Sequence, residues 1–195
     1  MITLSRKTKE TEIDLSLDIN AAKNWGEKAQ SKIDTGMPFF DHMLDQLASH
    51  AGWCLQLSMK ADTEVDDHHG IEDAAICLGE AFYQAWKANS PNARYGQRLL
   101  PMDESLTMCA VDLCGRAYCL TDLPFSQNTV GGIYTEMWSH FFYSFAINAK
   151  ITLHIKNEYF SNNHHLVEGA FKALAYALKE ALRPTETEAT TKGVL

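Results

Sequence analysis

The chain is written twice. His68-His69-Gly70-Ile71-Glu72 and His164-His165-Leu166-Val167-Glu168 both read His-His-x-x-Glu, 96 residues apart. A repeat on this scale constrains the fold strongly, because each half must form the same elements and bury the same faces. Leu55, Leu57 and Met59 alternate with polar residues as a half-buried strand does, and Ile151, Leu153 and Ile155 repeat that alternation at the same offset. A polar turn follows in each half, Ala61 to Asp67 and Asn157 to Asn163. Then come the paired histidines and an alanine-rich amphipathic helix. Ala74, Leu78, Ala81 and Ala85 match Ala170, Leu174, Ala177 and Ala181. Earlier in each half, Leu17-Asp18-Ile19 resembles Val111-Asp112-Leu113. His42 and His140, 98 residues apart, each stand near the start of an apolar helical run.

Each half therefore reads as strands, helix, strand, helix. The pattern predicts an α+β fold of duplicated half-domains, each a mixed or antiparallel sheet with two helices on one face. Residues 1–90 form the first half and 91–184 the second, together one domain, with 185–195 as a tail. Asn89-Ser90-Pro91-Asn92 is the joint. Asp41 is an N-cap or first-turn acid, and Asp66-Asp67 and Asn162-Asn163 are capping candidates before the paired histidines.

Composition narrows the function classes. The chain has 195 residues, 46% of them hydrophobic, enough for an ordinary core. Its net charge of -8 argues against a nucleic-acid binder, which needs a basic face. No run approaches the roughly 18 apolar residues of a membrane span, and no apolar signal-peptide core follows Met1. The five cysteines form no C-x-x-C pair. They fit buried free thiols in a reducing cytoplasm.

The repeated motif carries the chemistry. Imidazole and carboxylate together form a ligand set for first-row transition metals. Adjacent helical residues point about 100° apart, so His68 and His69 cannot comfortably share one ion. Glu72 lies at i+4 from His68 and i+3 from His69 and can share a metal with either. The other histidine points to a second ion. The same holds for His164, His165 and Glu168. His42 and His140 supply one further ligand in each half. Six histidines and two glutamates give four protein ligands for each of two metals. That leaves positions open on an octahedral ion, as a catalytic site requires. The ligand set suits manganese, iron or zinc. His154 points away from the face of Leu153 and Ile155 and is left out of the site.

Gln46 and His50 follow His42 at i+4 and i+8 on one helical face, and so line the same cleft. Other residues are candidates for binding an anion. Arg94 and Arg116 each follow a turn-like stretch, and guanidinium suits phosphate. Lys172 lies at i+4 from Glu168 and faces the same cleft. Thr190 and Lys192 offer a hydroxyl and a charge in the tail.

Taken in order, the motifs resemble the imidazoleglycerol-phosphate dehydratase family of histidine biosynthesis. The resemblance runs from Arg6-Lys7-Thr8-Lys9-Glu10-Thr11 through Thr35-Gly36, Phe39-Phe40-Asp41-His42-Met43-Leu44 and Asp66-Asp67-His68-His69 to Glu72-Asp73. It continues with Pro101-Met102-Asp103-Glu104, Gly115-Arg116, Thr135-Glu136-Met137, His140-Phe141-Phe142 and Asn163-His164-His165 to Glu168. Phe171-Lys172 and Lys192-Gly193-Val194-Leu195 complete it. Around Asn24-Trp25-Gly26-Glu27 this chain is longer than the family pattern. Thr190 stands where the family has serine, and Cys114 precedes Gly115-Arg116 where the family also has serine. The resemblance implies a ribosomal-protein-S5-like fold, as in that protein's second domain. It implies two manganese ions per site, other divalent metals being possible, and an assembly of 24 subunits with active sites between subunits. It further implies that Gln46, His50, Arg94, Arg116, Lys172, Thr190 and Lys192 hold the substrate phosphate, and that Glu10 moves protons.

The implied reaction converts D-erythro-imidazoleglycerol phosphate to imidazole-acetol phosphate and water. The proton lost has no carbonyl beside it, so the imidazole ring must serve as electron sink. Metals on the ring nitrogens would stabilise an imidazolate and then a diazafulvene-like intermediate. Glu10, Glu72 and Glu168 are the candidate catalytic carboxylates, the last two being also metal ligands. A dinuclear phosphate-ester hydrolase and a metal-stapled, non-catalytic assembly are the competing readings.

Overall fold

The structure is a computed structural model that describes residues 1–22 and 30–187. Asn24-Trp25-Gly26-Glu27, Thr190 and Lys192 lie outside the described residues. The first half runs β1 (Ile2–Lys7), β2 (Thr11–Asp18), β3 (Lys32–Asp34), α1 (Pro38–Ala51), β4 (Cys54–Ala61) and α2 (His68–Ala88). The second runs β5 (Tyr95–Met102), β6 (Ser105–Asp112), β7 (Tyr118–Asp122), a short β8–β9 hairpin (Thr129–Val130, Ile133–Tyr134), α3 (Glu136–Ala149), β10 (Thr152–Tyr159) and α4 (Asn163–Ala181). The sheet orders are β1-β2-β4-β3 and β5-β6-β10-β7. Each sheet is mixed. Its last strand pairs in parallel with the third, while the other pairings are antiparallel. Among the described residues the two halves thus share one topology, to which the second adds the hairpin.

Strand alternation buries one face of each sheet. Ile13, Leu15 and Leu17 of β2 and Leu55, Leu57 and Met59 of β4 point inward, as do Leu153 and Ile155 of β10. The helices do not pair within their own halves. α1 packs against α4, and α2 against α3. The helical layers therefore share one aromatic core. Phe40 meets Trp138 and Phe141 across the halves, and Phe171 of α4 lies 5.0 Å from Phe141 of α3, ring centre to ring centre. No described helix is long and apolar enough to cross a membrane. All five cysteines are free. Cys77, Cys109 and Cys114 are buried as expected, but Cys54 and Cys119 are only half-buried. Burial pushes the Cys77 thiol up to about 11, so it stays protonated and inert.

Gly79 sets how closely α2 and α3 approach. A β-carbon there would sit 2.6 Å from the Phe145 carbonyl oxygen, which is backbone and cannot swing away. Gly79→Ala should therefore lower the thermal midpoint, although alanine favours helix by about 1 kcal/mol. Overpacking of this kind costs roughly 1–3 kcal/mol. An unchanged or higher midpoint in a thermal melt would show that the helices have room.

Candidate metal centre

Both motifs open their helices in the same way. Asp66 accepts a hydrogen bond from the His68 backbone N–H at 2.8 Å, and Asn162 accepts one from the His164 N–H at 2.9 Å. The capping side chains stand two residues before the first histidine in each half. They place all four histidines in first turns. Asp67 does not cap α2. It accepts from the Tyr134 N–H and ties the second half's hairpin to the start of α2. α1 begins at Pro38, after an extended Met37. Asp41 is a first-turn acid rather than the cap. It accepts from the Thr35 amide and hydroxyl, which fixes the approach to the helix and so the position of His42.

The further histidine does not serve the motif of its own half. His42 of α1 joins His164 and Glu168 of α4, while His140 of α3 joins His68 and Glu72 of α2. This exchange pairs the extra histidine of each half with the other half's motif, which the spacing left open. Its cause is the packing of α1 on α4 and of α2 on α3. In the first triad, Glu168 lies 2.8 Å from His164 Nε2 and 3.3 Å from His42 Nε2. In the second, Glu72 lies 3.0 Å from His140 Nε2 and 3.9 Å from His68 Nε2. Donor atoms about 3 Å apart match neighbouring ligands on an ion with bonds of about 2.1 Å. Imidazole Nε2 and carboxylate oxygen are also the donor chemistry that manganese, iron and zinc accept. The residues fit a divalent ion at each triad.

Among the described residues each triad holds three donors, not four. His69 and His165 turn away from both. His69 Nδ1 lies 3.1 Å from Asp62, and His165 Nδ1 lies 3.0 Å from Glu104. The Asp62 carboxylate raises the His69 pKa, and His165 holds Glu104 below the usual carboxylate value. Neither acid was singled out as a site residue from the sequence. The available signals were an acid just after the strand Cys54–Ala61 and the Asp103-Glu104 pair. Glu10 sits 3.9 Å from His69 Nε2, half-exposed, and Asp103 lies 4.0 Å from His165 Nε2.

A polar track leads away from the first triad. α1 and α4 run side by side in the same direction, so His42 meets Glu168 and, eight residues on in each helix, His50 meets Tyr176. Between them lie Gln46, 3.5 Å from His42 Nδ1, and Lys172, 2.6 Å from Glu168. Burial alone would raise Glu168. Hydrogen bonds from Lys172 and His164 override it and hold the carboxyl below the ordinary glutamate value. The repeat is broken here, since Ile76 occupies the place of Lys172 in the first half.

Arg94 and Arg116 are elsewhere in the chain. Arg94 pairs with Asp112 through two hydrogen bonds of 2.7 and 3.1 Å, and Arg116 reaches the same carboxylate at 3.7 Å. The Arg94 N–H donates to the Ala181 carbonyl at the far end of α4. The helix from His164 to Ala181 rises about 25 Å, so one chain cannot bring these arginines and its own α4 triad to one small molecule.

His154 is half-buried against Tyr118 and belongs to neither triad. His154→Gln should leave metal content near wild type, whereas His165→Gln should lower it. Elemental analysis of the purified variants decides, and equal losses would mean the ligand set is misassigned.

The imidazoleglycerol-phosphate dehydratase family model matches residues 35–178. Proteins of that name from Chlorobium limicola and Acetivibrio thermocellus are 41% and 43% identical to this chain. The alignments cover 99% and 98% of this chain, and 94% and 97% of theirs. Among solved structures, the Pyrococcus furiosus dehydratase in complex with a ligand superposes with a TM-score of 0.83 at 32% identity. That match covers 98% of this chain and 100% of the other. The Staphylococcus aureus enzyme gives 0.81 at 33%, over 94% and 99%.

Proposed function

Because this chain belongs to the imidazoleglycerol-phosphate dehydratase family, and so is a hydro-lyase of histidine biosynthesis, we propose that it works with two divalent ions, manganese by preference, one at each triad. The observation that carries this reading is the reciprocal exchange of His42 and His140 between the halves. It builds two equivalent three-donor clusters with open positions. When bound, the ions would supply Lewis acidity to the substrate's imidazole ring, which would serve as the electron sink.

His42, His164 and Glu168 hold one ion, and His68, His140 and Glu72 the other. His69 and His165 each complete a site on a neighbouring copy, which gives four protein ligands per ion. Arg94 and Arg116 likewise act in a neighbour's site, since about 25 Å of helix separates Arg94 from its own triad. Gln46, His50 and Lys172 line the track for the substrate phosphate, joined by Thr190 and Lys192 of the tail. Fixing the phosphate places the reacting carbon. Glu10 removes and returns protons as general base and acid, because Glu72 and Glu168 are engaged as ligands. The assembly is a homo-oligomer, of 24 subunits in the family pattern. The halves 1–90 and 91–184 form one domain that the tail 185–195 completes. The five free thiols suit the cytoplasm.

Incubating metal-loaded protein with imidazoleglycerol phosphate tests the function. The ketone product should accumulate with its phosphate retained. Release of inorganic phosphate instead would identify a hydrolase.

Acid should strip the metals in the histidine range. A protonated imidazole cannot ligate, and the unperturbed pKa is about 6.5. Asp62 raises His69, so protons compete there at a higher pH than at an ordinary histidine. Glu168 is lowered and remains a carboxylate well below that range. Metal affinity should therefore weaken as the pH falls below about 6.5. An affinity that does not change between about pH 7 and pH 5 would contradict histidine ligation.

A further inference from the structure

We infer that Asp62 and Glu104 are positioning residues, which hold the Nδ1 atoms of His69 and His165 so that each Nε2 faces outward as a metal ligand for a neighbouring copy. The inference rests on the reading of His69 and His165 as ligands. Each acid approaches its histidine with both carboxylate oxygens, at 3.1 and 3.2 Å for Asp62 and at 3.0 and 3.1 Å for Glu104. A carboxylate at Nδ1 keeps the proton there and leaves the lone pair on Nε2. It also locks the ring's rotation and raises its basicity. The other four histidines already turn Nε2 toward their triads.

The repeat supplies an independent argument. These contacts are not two copies of one ancestral contact. Asp62 follows β4, and the residue 96 positions later, Glu158, pairs with Lys156 instead. Glu104 stands one residue before β6, as Glu10 stands one residue before β2. Glu10, however, reaches the Nε2 side of His69, not Nδ1. Two unrelated backbone positions thus deliver a carboxylate to the same atom of equivalent histidines. These converge on one geometry by different routes.

The surroundings allow the role. Asp62 is anchored by its own N–H, which donates to the Glu10 carbonyl. The Asp62 and Glu104 side chains are 23% and 36% exposed, and His69 and His165 are 32% and 24% exposed. The rings are supported on one side and reachable on the other.

The test titrates manganese into chelator-stripped protein. Asp62→Ala and Glu104→Ala should each weaken manganese binding by roughly 10- to 100-fold. Asp62→Asn and Glu104→Gln keep an acceptor oxygen for Nδ1–H and should recover most of that loss. Binding unchanged in the alanine variants would overturn the inference, as would amide variants no better than alanine. His69→Gln and His165→Gln separate the two claims. If they bind manganese like wild type, the ligand reading falls and the inference with it. If they lose binding while the alanine variants do not, the inference alone falls. Should one alanine variant fail to fold, the other carries the same test from an unrelated position.

Discussion

Glu10→Gln should retain both metals and still bind substrate, yet its turnover should fall by roughly 100-fold or more, the usual scale of general acid–base catalysis. Glutamine keeps the shape of the side chain and its capacity to hydrogen-bond, but it cannot take up a proton. Position singles out this residue. Glu72 and Glu168 sit within their triads, and Glu104 holds His165 Nδ1. Glu10 is half-exposed, 3.9 Å from the Nε2 of a candidate ligand, and engaged with neither triad. Its loop is well held. The Glu10 amide donates to the Thr8 hydroxyl, and Thr11 hydrogen-bonds the buried Asp73 beside Glu72. The substitution therefore changes chemistry and not the loop. Metal analysis, substrate affinity and single-turnover rates on the one variant form the test. Near-normal turnover would exclude Glu10, and metal lost together with activity would make its role structural.

Chelation should abolish activity and break the assembly in the same step. Each triad joins the two halves of a chain, and in the proposed reading His69 and His165 reach outward to other copies. Removing the ions leaves three closely spaced donors at each triad, a carboxylate with two imidazoles, without the charge that organises them. Metal binding is then partly assembly free energy. Light scattering before and after chelation should show a large particle falling to smaller species. A particle of unchanged size that has demonstrably lost its metal would sink the claim that metals bridge subunits, while leaving the catalytic claim standing.

Much of the fold was legible because the repeat reports on itself. Alternation at Leu55, Leu57 and Met59 gave β4, and the same alternation at Ile151, Leu153 and Ile155 gave most of β10. The paired capping residues marked the starts of α2 and α4. Local pattern could not show which helix packs on which. That depends on side-chain fit across the halves, on Gly79 letting α2 meet α3, and on Phe40, Phe141 and Phe171 filling one core. The partners of His42 and His140 followed from that packing and so were hidden. Divergence of the two histidines in each motif was readable from helix geometry alone. Asp62 and Glu104 were not, because a carboxylate's partner across a turn leaves no periodic trace. The beginning and end of α1 were set by Pro38 and by Gly52 in the left-handed region, signals a sequence does carry.

Anomalous diffraction at the manganese edge, on crystals grown from metal-loaded protein, tests the central claim most directly. The account predicts two ions for each chain. One lies among His42, His164 and Glu168, the other among His68, His140 and Glu72, and each carries a fourth ligand, His69 or His165, from another copy. Ions absent from both triads, or ligated only by histidines of one half, would contradict it.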